Sequence, residues 1–119
     1  MGDWVPVRAW HRAVNDRDIA AARSIVADDV VMGGPRGQVT GVDVFIEWIG
    51  HAGILLTPRS WHPINGETVV VEQDASWPGN PEADADPVRV ATLFRLSGDR
   101  VTAALRFDNL QDALAAATA

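Results

Sequence analysis

One change of period governs what this chain can fold into. Up to Gly53 its apolar residues recur at helical spacing, and beyond Arg59 they alternate along runs joined by hairpin-length turns. Asp3 is placed to cap a first helix and Pro6 fits its first turn, where a missing N–H costs nothing. Val7, Trp10, Ala13 and Val14 then share one face. Asn15-Asp16-Arg17-Asp18 breaks that helix and caps a second, in which Ile19, Ala22, Ile25 and Val26 share a face before Asp28-Asp29. Val30-Val31-Met32 predicts a short buried strand, closed by the turn Gly33-Gly34-Pro35-Arg36-Gly37. A third helix follows Thr40-Gly41, with Val42, Phe45, Ile46, Ile49 and Ala52 as its stripe, Trp48 widening it and Gly53 closing it.

The second half is strands. Arg59–Ile64 and Glu67–Trp77 flank Asn65-Gly66, the strongest hairpin signal in the chain, and Pro78 stops the second of them. The polar, proline-rich stretch 78–87 is a loop. Val88–Leu96 and Val101–Asp108 form a second hairpin across Ser97-Gly98-Asp99-Arg100, and Gln111–Ala117 is a short Ala-rich helix. This order predicts an α+β fold in one domain, 1–119: a curved antiparallel sheet, three helices from the N-terminal half packed on its concave face, and a short C-terminal helix. The space between helices and bent sheet is the default binding pocket.

Composition narrows the chemistry. The chain has 119 residues, enough for one hydrophobic core, with no Cys, no Tyr and no Lys, so all 10 basic residues are Arg. That removes thiolate nucleophiles, disulfides, Schiff bases, Walker-type phosphate loops and phenolic acids. Three His and the carboxylates are the proton-transfer groups left near neutrality. A net charge of −6 repels phosphate backbones, so nucleic acid is not expected as a partner. No apolar run approaches the ~20 residues of a membrane helix. The start of the chain does not read as a signal peptide, so a cytoplasmic protein without membrane contact is expected. No spacing of His and carboxylates suits a metal, and Glu82-Ala83-Asp84-Ala85-Asp86 lacks the Gly and distant Glu of a calcium loop. No cofactor is expected.

Several short motifs follow one another along nearly the whole chain: Trp10-His11-Arg12-Ala13-Val14-Asn15-Asp16-Arg17-Asp18, Val26-Ala27-Asp28-Asp29-Val30, Gly33-Gly34-Pro35 and Gly41, then Leu93-Phe94-Arg95-Leu96 ahead of Ser97-Gly98-Asp99-Arg100-Val101. Their order and spacing resemble the nuclear transport factor 2-like superfamily, in particular its SnoaL-like and ketosteroid-isomerase-like branch. The resemblance implies a cone, with a bent sheet, three helices and an apolar cavity open at one end, and it implies a homodimer. It does not choose a reaction, because the family holds isomerases, epoxide hydrolases, polyketide cyclases, dehydratases and non-catalytic binders. Under the resemblance the isomerases' carboxylate base falls on Gly34, their Tyr donor on Trp10 and their second acidic donor on Thr92. The epoxide hydrolases' Arg and two Asp fall on Gln73, Ala75 and Arg106, and their water-holding Asn again on Gly34. Neither catalytic set is retained.

Strand parity gives an independent reading of the pocket. If Gln73 and Thr92 face inward, Val69, Val71, Ala75 and Trp77 accompany the first, Val90 and Phe94 the second, and Ala104, Arg106 and Asp108 line the last strand. Glu72, Asp74, Arg89 and Arg95 then share the outer face as cross-strand ion pairs, on a solvated or dimer-contacting surface. Arg106 has two readings, a contact for an anionic or carbonyl-bearing ligand or half of a rim pair with Asp108. Of the five Trp, Trp10, Trp48, Trp61 and Trp77 lie on elements that face the cavity or close its mouth, and Trp4 covers the base. Their rings suit a flat apolar ligand as well as a core. His11 is expected at the surface, His51 at a helix C-terminus, and His62 on whichever face of its strand Trp61 does not use.

The candidate ligand-binding residues are therefore Trp10, Trp48, Gln73, Trp77, Thr92 and Arg106, and the candidate catalytic residues His62 and Asp108. The function expected is binding of an apolar or aromatic small molecule by a homodimer. The alternatives are a cofactor-free acid–base enzyme of isomerase, cyclase, dehydratase or epoxide-hydrolase type, and a non-catalytic dimeric interaction module.

Overall fold

The computed structural model describes residues 4–34, 36–80 and 86–118. Along the chain run α1 (Val5–Asp16), α2 (Ile19–Ile25), β1 (Val26–Gly34), β2 (Gly37–Thr40), α3 (Val42–Ala52), β3 (Leu55–Asn65), β4 (Thr68–Ser76), β5 (Val88–Ser97), β6 (Arg100–Phe107) and α4 (Leu110–Thr118). The punctuation read from the sequence is where the elements stop. Arg17 ends α1 in the left-handed region, at φ 55°, and the Asp18 carboxylate caps α2 by accepting from the Ala21 N–H at 3.1 Å. Gly53 closes α3 at φ 58°. Asp3, expected to cap α1, lies outside the described residues, as do residues 81–85 of the acidic loop.

The strands form one open, curved sheet in the order β2-β1-β6-β5-β4-β3. All neighbours are antiparallel except β1 and β6, which run parallel, so the purely antiparallel expectation is corrected at that one junction. The direction follows from the path of the chain. α3 carries it across to the far edge, β3 starts antiparallel to β1, and three successive reversals leave β6 aligned with β1. β1 is also longer than the predicted Val30–Met32. Val26, expected to end the second helix, instead lies opposite Val101, and Arg100 Nη1 donates to its carbonyl at 3.1 Å. A bulge between Val26 and Val31 absorbs the mismatch, with Asp28 and Asp29 left in solvent. The expected turn 33–37 is a true hairpin whose second arm, β2, the sequence pattern did not reveal.

The helices of the N-terminal half lie on one face. Val7, Trp10, Ala13 and Val14 of α1, Ala22 of α2, and Phe45 and Ile49 of α3 form one buried cluster with Val69, Val71, Ala75, Val90, Phe94 and Ala104 of the sheet. The amide of Asn15 at the end of α1 locks onto the edge strand β3, donating to the Leu56 carbonyl at 2.9 Å and accepting from its N–H at 2.8 Å. The outer face was expected to be solvated or to contact a second copy. Half of it is instead covered by α4, whose Leu110, Ala113 and Leu114 pack on Val70, Ala91 and Leu93. Cover on both faces explains why β4 opens with Thr68-Val69-Val70-Val71, all buried, rather than alternating. The other half carries the expected pairing of Arg89 with Asp74 at 2.6 Å and Glu72 at 3.5 Å; Arg59 joins Asp74 at 3.5 Å, whereas Arg95, expected in the same set, has no ion-pair partner among the described residues. Among the described residues no helix is long and apolar enough to cross a membrane.

Candidate functional site

The inside of the cone is largely filled by rings. Trp10 of α1 lies nearly parallel to Phe45 (centroids 6.0 Å apart) and Trp48 (6.5 Å) of α3, and edge-on to Phe94 of β5 (4.9 Å). Such contacts add ~0.5–1.5 kcal/mol per pair to the burial itself. Toward the β1–β2 end the described residues enclose two pockets. One pocket of about 220 Å³ is lined by Trp10, Met32, Gly33, Val39, Trp48 and Arg106. A second, of about 540 Å³, is lined by Gly34, Arg36, Gly37, Gln38, Val39, Arg106 and Asp108. The two meet at Val39 and Arg106.

Arg106 is thus the hinge between an aromatic recess and a polar mouth. Its register position opposite Thr92 sets it on the inward side of β6. Its guanidinium is exposed and has no hydrogen-bond or ion-pair partner among the described residues. The rim pair with Asp108 is not formed. Asp108 lies beyond the end of β6, in the bend before α4, so the two-residue alternation that linked it to Arg106 has already ended. Asp108 still lines the larger pocket.

Behind the rings runs a buried polar chain. His11, expected at the surface, is 4% exposed, and its Nδ1 donates to the Val7 carbonyl at 2.8 Å. That commitment leaves Nε2 as an acceptor for the Gln73 amide at 2.7 Å, while the Thr92 hydroxyl donates to Gln73 Oε1, also at 2.7 Å. Burial pushes the His11 pKa down to about 4, against the pull of the Val7 bond and with a smaller push from Arg8. The ring is neutral at neutral pH with both nitrogens engaged, so it has no lone pair or proton to offer a ligand. Gln73 and Thr92 face inward as parity required, yet neither lines the two pockets, because each bonds the other.

The remaining candidates separate. His62 lies opposite Val70, on the outer face, where its Nε2 is hydrogen-bonded to Ser60 Oγ at 2.8 Å and Ser60 reaches Glu72 at 3.4 Å. Trp61 takes the inward side, 5.9 Å from the His11 ring and beneath the Arg8 guanidinium at 4.4 Å. Trp77, just past β4, is half-buried against the inward core and lines neither pocket. The structure brings together Trp10, Trp48, Arg106 and Asp108, and it adds Met32, Gly33, Arg36, Gln38 and Val39, which the sequence reading missed. The signal for these was the glycine spacing 33, 34 and 37, a mark of close backbone approach: a Cβ on Gly33 would stand 2.3 Å from the Gly37 carbonyl oxygen. Among the described residues no three His, Asp or Glu gather to hold a metal ion.

Comparison with known proteins bears on the same architecture. Residues 7–104 match the family model of the SnoaL-like domain. The fold is similar to that of a nuclear transport factor 2-like protein of unknown function from Burkholderia pseudomallei, at 21% identity and TM-score 0.74, over 89% of this chain and 90% of that one. It is similar to a hypothetical protein with a ketosteroid isomerase-like fold from Catenulispora acidiphila, in complex with trimethylamine, at 22% identity and TM-score 0.71, over 92% and 89%. It is also similar to TerC co-crystallised with polyporic acid, at 18% identity and TM-score 0.74, over 93% of each chain. No curated protein matches the chain in sequence. Likeness at these identities speaks for the fold alone, but the family match spans most of the chain: this protein belongs to the SnoaL-like domain family.

Proposed function

We propose that this SnoaL-like domain binds a small apolar or aromatic molecule at the mouth of its cone, with the ligand's body against Trp10 and Trp48 and its polar end at Arg106. The observation that carries this reading is convergence: residues from α1, α3 and β6 line one recess. Binding is favoured over acid–base catalysis by the fate of the titratable groups. His11 is neutral and fully engaged, His62 is on the opposite face, and Asp108 lines the larger pocket but not the aromatic recess where the ligand's body would sit. In this reading Gln73 and Thr92 hold the wall behind the ligand, and Trp77 belongs to the core. A homodimer goes with the reading on the strength of the family resemblance.

The test is a screen of aromatic compounds by tryptophan fluorescence and thermal shift on the intact chain, repeated with Trp48→Ala and Arg106→Ala. A true ligand loses affinity about tenfold or more in Trp48→Ala, in line with the loss of a ring at a binding site. A ligand indifferent to both changes places the site elsewhere and removes the reading.

A further inference from the structure

We infer that this pocket prefers anions, and that its ligand is a carboxylate carried on a small aromatic body; the inference rests on the binding site proposed above and names the chemistry that site selects. It comes from where the cations go. Arg23 pairs with Asp43, Arg59 and Arg89 pair with Asp74, and Arg100 serves a backbone carbonyl. Arg36 and Arg106 both line the larger pocket, and neither has a hydrogen-bond or ion-pair partner among the described residues. Other arginines without a carboxylate partner, such as Arg12 and Arg95, line neither pocket. A chain of net charge −6, with carboxylates in excess, thus leaves two guanidiniums unpaired on one concavity and sets a single carboxylate, Asp108, beside them.

A guanidinium presents a planar fork that matches a carboxylate with two parallel bonds, and the position of Arg106 between the pockets puts that charge where the aromatic recess opens. The recess, about 220 Å³, falls below the ~300 Å³ at which drug-sized sites begin, so the apolar part of the ligand is one or two rings.

The experiment compares three probes that share one ring system and differ in charge: 2-naphthoate, 2-naphthalenemethanol and 2-naphthylmethylammonium. Each is titrated into the intact chain by tryptophan fluorescence and calorimetry at fixed ionic strength. The carboxylate is expected to bind about tenfold or more tightly than the alcohol, the scale of a charge-assisted bond, and the ammonium most weakly. Arg106→Gln should erase the carboxylate's advantage over the alcohol, Arg36→Gln should reduce it, and Arg106→Lys should keep part of it. Equal affinity of carboxylate and alcohol overturns the anion preference while leaving the binding site in place, and an advantage unmoved by Arg106→Gln overturns its origin in this pocket's guanidiniums. No binding of any probe to protein shown folded by circular dichroism overturns both.

Discussion

Both ring nitrogens of His11 are used inside the protein, one on the Val7 carbonyl and the other by the Gln73 amide, which is itself held by Thr92. Nothing local announces this. His11 stands four residues after Val7 and beside Trp10, within an otherwise apolar stripe, and its partner lies 62 residues further on in another element. A single sequence shows a polar residue next to a buried face and no more, so a surface position was the natural reading. Two predictions follow from the chain of bonds. The folded pKa of about 4 is below the unfolded value of 6.5, so between them the unfolded chain binds more protons and stability rises with pH. The His11 contribution is fully present above 6.5 and is lost as pH falls toward 4, on the order of 3 kcal/mol in all. Urea unfolding from pH 7 to 4 measures the loss, and a ring that titrates by NMR near 6.5 would refute its cause. Gln73→Leu strands two buried partners at once and should cost about 2–4 kcal/mol, whereas Thr92→Val removes the end of the chain and should cost about 1. Equal costs would show that the three residues do not act in series.

At the level of elements, what was legible had strong local punctuation. Asn65-Gly66 fixed the β3–β4 hairpin, Gly53 the end of α3, and Arg17-Asp18 the break between α1 and α2. The segment from Val26 to Thr40 had none, because its strands exist through pairing: β1 is held in place by β6, which comes much later in the chain, and the four residues of β2 are all exposed. Propensity gives way to such tertiary pairing, and half of the pocket went unseen with it. The same segment makes a sharp demand at Gly33. A methyl group there would meet the Gly37 carbonyl oxygen at 2.3 Å and the Gln38 Cα at 2.8 Å, both backbone atoms with no rotamer to escape into. Gly33→Ala should therefore push β2 away from β1, cost about 2 kcal/mol or more, and weaken ligand uptake by displacing Val39. A variant that keeps both its melting temperature and its affinity would show that the hairpin is not held against β1 as described.

Taken as a whole molecule, the sheet is unequally braced, and the pocket sits on its weaker side. β4 is laddered by β3 and β5 along nearly all of its length and covered on both faces. β1 has only the short, exposed β2 on one side and an interrupted parallel ladder on the other. The recess spans both sides: Trp10 belongs to α1, which packs against β3 and β6, whereas Trp48 belongs to α3, which packs against β1, and Met32, Gly33 and Val39 belong to β1 and β2. Local opening draws on regions with few buried contacts and exposed ladders, so the mouth should open at β1 and β2 while β4 and β5 stay closed. In native-state hydrogen exchange the amides of Met32 and Val39 should exchange about tenfold or more faster than those of Val70 and Leu93, a gap of about 1.4 kcal/mol. A saturating ligand should slow the first pair and leave the second unchanged, since it bridges the two halves at the recess. If all four amides are equally protected in the free protein, the mouth is as rigid as the core, and a ligand must enter through the opening already present.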